Sequence, residues 1–144
     1  MIKKAEEILR TTEVVSNRAV GFAGECPEAN WALSVIIVHD PKPTERLVKL
    51  AEQSSPAGFF MCLLAVRFVD PLFFEKYISE HAEALKNVKS QICIQIGCSQ
   101  VPATAEEALS EIKRFPRDQI LCDPIPELYE TVRTSKMDFE IPKK

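Results

Sequence analysis

Hydrophobic and polar positions alternate along this chain with a mostly helical period, around one stretch that is apolar almost throughout. Residues 2–10 place Ile2, Ala5, Ile8 and Leu9 on one face. Pro27 suits a first helical residue, and Trp31, Val35 and Val38 follow at spacings of four and three, which predicts a helix from Pro27 to about Val38. The β-branched run Val35-Ile36-Ile37-Val38 would equally suit a strand. Thr44 is read as the cap of an amphipathic helix over about 45–53, with Leu47, Val48 and Leu50 inward.

The apolar stretch is SPAGFFMCLLAVRFVDP, residues 55–71. Ten nonpolar residues run from Ala57 to Val66, then Arg67 interrupts and Asp70-Pro71 stops the segment. A membrane-spanning helix needs about 20 predominantly apolar residues, so this one is too short. Its ends are those of a helix in water, because Ser55 can cap the first turn and Pro56 gives up no needed amide hydrogen. A helix apolar on nearly every side is surrounded by other elements, so residues 56–69 are predicted to be the central helix. Gly58 in its first turn costs about 1 kcal/mol relative to alanine, which predicts close packing there.

Asp70-Pro71 restarts the chain by the same chemistry and predicts a helix over 71–87, with Leu72, Phe73, Tyr77, Ala84 and Leu85 inward. QICIQI, residues 91–96, alternates strictly and predicts one short extended segment. Thr104 and Glu107 form a Thr-x-x-Glu capping box for a helix through Ala108, Leu109 and Ile112 that ends by Pro116. A last helix is predicted over about Glu127–Thr134. The expected fold is mostly α, a single helical domain spanning 1–144.

The segment Leu47 to Phe74, with its amphipathic helix, Ser-Pro-Ala-Gly restart and Asp-Pro boundary, resembles small uncharacterised bacterial proteins with HEAT-like helical hairpins. Gly97-Cys98 and the capped helix containing Glu107 and Ile112 are similar too, so the likeness covers about half the chain. The resemblance implies HEAT-like α-α hairpins and carries over no catalytic residue. QICIQI departs from a pure helical array and favours a compact irregular bundle.

Composition narrows function by exclusion. With 144 residues, 46% hydrophobic and 27% charged, the chain can bury a sizeable core without metal or disulfide. A net charge of −3 with interspersed signs offers no basic stripe for a polyanion, so neither nucleic acid nor an anionic membrane is expected as partner. MIKKAEEILRTTEVV shows no secretory signal, which favours the cytoplasm; an exported form with its leader removed stays open. The five cysteines are odd in number and include no Cys-x-x-Cys pair, against both a disulfide framework and the common zinc spacings.

Cys26, beside Pro27 at a helix start, is the best nucleophile candidate by sequence, since partial positive charge there lowers a thiol pKa. Its base would have to be His81, because His39 lies about 18 Å away along the same predicted helix. Cys98 is a second weak candidate. Cys93, Cys98, Cys122 and His81 match no metal-ligand spacing, so no metal and no cofactor are expected. Arg67 needs a partner such as Asp70 or Glu75, an escape to solvent, or an anion to bind. Phe59, Phe60, Phe68, Phe73 and Phe74 crowd the middle of the chain. The preferred reading is a noncatalytic scaffold or binding module whose protein or peptide ligand meets Trp31, Phe60, Arg67 and Phe74. The alternatives are a small cysteine-dependent enzyme and an obligate homo-oligomer using the same apolar surface.

Overall fold

The computed structural model describes residues 2–16, 27–96 and 99–115. Among them are seven helices and three strands, so the mostly α expectation stands, with more sheet than one extended segment. The helices are α1 (Ile2–Thr11), α2 (Glu28–His39), α3 (Pro43–Glu52), α4 (Pro56–Val69), α5 (Pro71–Glu80), α6 (Ala82–Lys86) and α7 (Ala105–Arg114). The strands are β1 (Val14–Val15), β2 (Ile92–Ile96) and β3 (Ser99–Ala103). The predicted helix at Glu127–Thr134 lies outside the described residues.

α4 occupies the centre that its composition demands. It touches α1, α2, α3, α5, α7, β1 and β2, and ten of its fourteen residues are buried. Ser55 caps it, its hydroxyl accepting from the Gly58 N–H at 3.1 Å. The same hydroxyl donates to the Thr12 carbonyl at 2.6 Å, and the Ser55 N–H donates to the Arg10 carbonyl at 2.8 Å. The C-terminus of α1 is thereby tied to the start of α4. A Cβ on Gly58 would stand 1.9 Å from the Leu9 carbonyl oxygen, so the absent side chain is what lets the two backbones meet.

α1 packs chiefly on α2 and α3 chiefly on α4; the two pairs meet through α1 with α3 and α4, and through α2 with α4. α1 and α3 are amphipathic, burying Ala5 and Leu9 on one and Leu47, Leu50 and Ala51 on the other. The run Val35-Ile36-Ile37-Val38 is helical, and α2 is a second helix buried on nearly every side. Burial against both α1 and α4 rewards bulky apolar residues there and outweighs their strand preference.

Helix starts differ from the sequence reading by a residue or two. Pro27 is extended at φ −64° and ψ 147°, placing it at the N-cap of α2 rather than inside it. α3 begins at Pro43, with Thr44 already helical and Lys42 at the cap position. The segment read as one helix over 71–87 is broken at His81 into α5 and α6. Its inward face is Phe74, Tyr77, Ile78 and Leu85, whereas Leu72 is 84% exposed and Ala84 is also exposed.

β2 is the middle strand of the sheet. β1 runs parallel to it, with Val14 opposite Cys93 and Val15 opposite Ile94. β3 runs antiparallel, with Ile92 opposite Ala103 and Ile96 opposite Ser99. The alternation seen in the sequence holds, since Ile92 and Ile94 are buried while Cys93 and Gln95 are half-buried. α7 closes this end, capped by the expected box: Thr104 Oγ1 accepts from Glu107 N, and Glu107 Oε1 accepts from Thr104 N. No described helix is long and apolar enough to cross a membrane.

Candidate functional site

A surface cleft lies where α1, the α2–α3 turn and α3 meet. It holds about 570 Å³ and is lined by Glu6, Arg10, Asp40, Lys42, Arg46 and Lys49, among others. Its geometry starts from the turn Asp40-Pro41-Lys42-Pro43. Asp40 Oδ1 accepts from the Lys42 N–H at 2.8 Å, an Asx-type turn that aims the chain into α3. One turn into α3, Arg46 donates from Nε to Asp40 Oδ2 and from NH1 to Glu6 Oε2, the latter at 2.6 Å. A single guanidinium thus joins α1 to the turn before α3. On the other side of Glu6, Arg10 NH2 lies 3.7 Å from its carboxylate, and Arg10 NH1 donates to Glu7 at 3.3 Å.

The two carboxylates that hold Arg46 are more withdrawn from water than Arg46 itself. The Glu6 and Asp40 side chains keep 18% and 12% exposure against 38% for Arg46, so these pairs are less screened than ordinary surface bridges. The hydrogen bond to Asp40, and then that to Glu6, raise the Arg46 pKa above its already high ordinary value. Arg46 is therefore a fixed positive charge at any pH the fold experiences.

A second cleft of about 410 Å³ opens between the end of α1 and the start of α2, with Thr11, Thr12, Ser16, Glu28, Gln95 and Gln100 on its wall. Behind it sits a buried polar cluster. Ser16 Oγ donates to Asn30 Oδ1 at 2.9 Å, Asn30 Nδ2 returns a bond to the Ser16 carbonyl at 3.1 Å, and Ser34 Oγ donates to the Asn30 carbonyl at 3.2 Å. Asn30 is fully buried, and this reciprocal pairing offsets the cost of removing its amide from water.

Among the described residues, those singled out in the sequence do not converge. Phe60 and Phe74 are each 1% exposed and belong to the core, so neither offers surface to a ligand. Trp31 is half-buried against the same core. The aromatic groove is thus replaced by internal packing, with Phe59 meeting Phe60 edge-to-face at 5.1 Å. Arg67 donates from NH1 to the carbonyls of Ile112 and Phe115, at 3.1 and 2.9 Å, and so satisfies acceptors at the C-terminus of α7. Asp70, named as its partner, uses Oδ1 to cap α5 through the Phe73 N–H.

His81 stacks on Tyr77 with ring centroids 4.0 Å apart, and its Nδ1 lies 2.9 Å from the Tyr77 carbonyl oxygen. It serves the break between α5 and α6. Cys26, Cys98 and Cys122 lie outside the described residues. Of the thiols described, Cys62 is buried in α4, where desolvation pushes its pKa up to about 12 and removes nucleophilic character. Cys93 is half-buried on β2, its Sγ 3.5 Å from Gln100 Oε1. Among the described residues no three His, Cys, Asp or Glu side chains gather as a metal site would require.

Glu6, Asp40 and Arg46 were not singled out by sequence reasoning. Asp40 carried a local signal in its Asp-Pro-Lys-Pro turn, but a separation of 40 positions between Glu6 and Arg46 leaves no periodic trace. Comparison of the chain with protein-family models, curated proteins and solved structures finds no match.

Proposed function

We propose that the protein is a noncatalytic binding or scaffold module that receives a protein or peptide segment in the cleft between α1 and α3. The observation that carries this reading is the Glu6–Arg46–Asp40 network, which lines an open cavity with charges already oriented and partly desolvated. Charged groups held in place before a ligand arrives lose little freedom on binding, and they select partners by complementarity. The stacking of α1/α2 on α3/α4 supports a scaffold of HEAT-like helical pairs, in which binding surfaces form across neighbouring helices.

The test is nuclear magnetic resonance of the isotope-labelled full chain, titrated with pools of short peptides that differ in charge. The expected outcome is a set of shifts confined to Glu6, Arg10, Asp40, Lys42, Arg46 and Lys49 and their neighbours. Absence of shifts with every pool, or shifts centred elsewhere, would overturn the reading.

A further inference from the structure

We infer that the segment received by this cleft is an extended acidic peptide, its carboxylates seated along Lys42, Arg46 and Lys49. This inference rests on the binding role proposed above and assigns the chemistry of the ligand. The first ground is spacing. Positions 42, 46 and 49 are separated by four and three residues, so they follow one face from the cap through α3. At 1.5 Å per residue the row is about 10 Å long, which matches about three residues of an extended peptide at about 3.3 Å each. An acidic residue at every second position would space same-face carboxylates about 6.6 Å apart, so that two of them fall within the row.

The second ground is a surplus of donors. Among the described residues neither the Lys42 nor the Lys49 ammonium takes part in an ion pair, and both line the cavity. Arg46 uses Nε and NH1 for Asp40 and Glu6, and a guanidinium carries five N–H donors, so others remain for a ligand. On the acceptor side Glu6 and Asp40 are already engaged, and Glu45 is the lining carboxylate without an ion pair. A ligand that brings acceptors and negative charge completes the cleft, whereas a basic one would meet unpaired lysines.

The third ground is contrast with the rest of the surface. The chain as a whole is net −3, yet the charged residues lining this cavity are four cations against three carboxylates. An acidic segment is repelled by the protein at large and accepted here, which gives specificity of place. The row is too short for nucleic acid, whose stable binding draws on many more phosphate contacts. Glu45 falls between these cations and Glu52 follows them in the sequence, which is why no basic stripe shows on reading the chain linearly.

The experiment is fluorescence anisotropy of the full chain with three probes: a labelled peptide of about eight alternating Glu and Ser residues, its Lys/Ser counterpart, and inorganic phosphate as competitor. The Glu/Ser peptide is expected to bind at least about tenfold more tightly than the Lys/Ser peptide. The double reversal Lys42→Glu/Lys49→Glu, checked for retained helicity by circular dichroism, should weaken that binding at least about tenfold. Lys89→Glu, outside the cleft, should leave it unchanged. Preference for the Lys/Ser peptide at the cleft would overturn the acidic assignment and leave peptide binding intact. Failure of both peptides to bind would overturn both. Displacement of the Glu/Ser peptide by low phosphate concentrations would assign the row to a free anion and likewise overturn the inference.

Discussion

α4 and α5 begin by the same chemistry and end at opposite depths. Each has a side-chain oxygen at the cap, Ser55 or Asp70, that accepts from the N–H three residues on, and each has proline at the first helical position. Yet α4 is buried on almost every face, while α5 buries Phe74, Tyr77 and Ile78 and leaves Leu72 in solvent. Caps decide where a helix starts. How deeply it sits is decided by how many of its faces can be covered, and polar Glu75, Lys76, Ser79 and Glu80 leave α5 one covered face.

That contrast can be broken most forcefully in α4. Phe60→Ala is expected to cost about 3–5 kcal/mol in urea unfolding, since it empties a fully enclosed site. Gly58→Ala should cost about 3 kcal/mol, against the usual stabilisation of a helix by alanine, because the new Cβ meets the Leu9 carbonyl oxygen rather than solvent. A stabilised variant would show that α1 and α4 are not in backbone contact.

The two helices also predict a shared response to alkali. Burial raises the Cys62 pKa from 9.0 to about 12, and that of Tyr77 is raised, first by desolvation and then by Glu52. Both groups hold their protons more tightly when folded. Their contribution is therefore complete below the unfolded values and is lost as pH climbs toward the folded ones. For Cys62 the window is pH 9 to about 12, with stability falling by up to about 1.4 kcal/mol per pH unit. Cys62→Ala should flatten the slope measured by unfolding across that range.

Smaller effects separate the caps from the surfaces. Ser55→Ala should cost about 2 kcal/mol and Asp70→Ala about 1 kcal/mol, because the Ser55 hydroxyl also holds the Thr12 carbonyl. Leu72→Gln should change stability by less than about 0.5 kcal/mol. A large loss there would mean that a partner covers α5 in solution.

The bounds of α4 and α7 were legible in the sequence because their signals are local: Ser-Pro before an apolar run, and Thr-x-x-Glu before an amphipathic one. β3 was not legible, since Ser99-Gln100-Val101-Pro102-Ala103 has little alternation and four of its five residues are exposed. Two-residue β1 is too short for any period to show. The aromatic groove failed for a related reason. Periodicity reports which residues are apolar, but whether Phe60 and Phe74 face a ligand or a neighbour depends on α3, α5 and α7 arriving around them. The charged cleft depends in the same way on Glu6 and Arg46 meeting across distant sequence, and the partners of Arg67 include two main-chain carbonyls that no side-chain pattern could name.

The contact between Gly58 and the Leu9 carbonyl reaches further than helix packing. Glu6 lies about one turn upstream of Leu9 on α1, so the seat of that helix sets the height at which its carboxylate meets Arg46. A missing methyl group in the interior thereby governs the spacing of ionic groups on the outer wall. Evolution could retune what the wall accepts by exchanging surface side chains alone, but it could not enlarge residue 58 without shifting the α1 side of the wall against the α3 side.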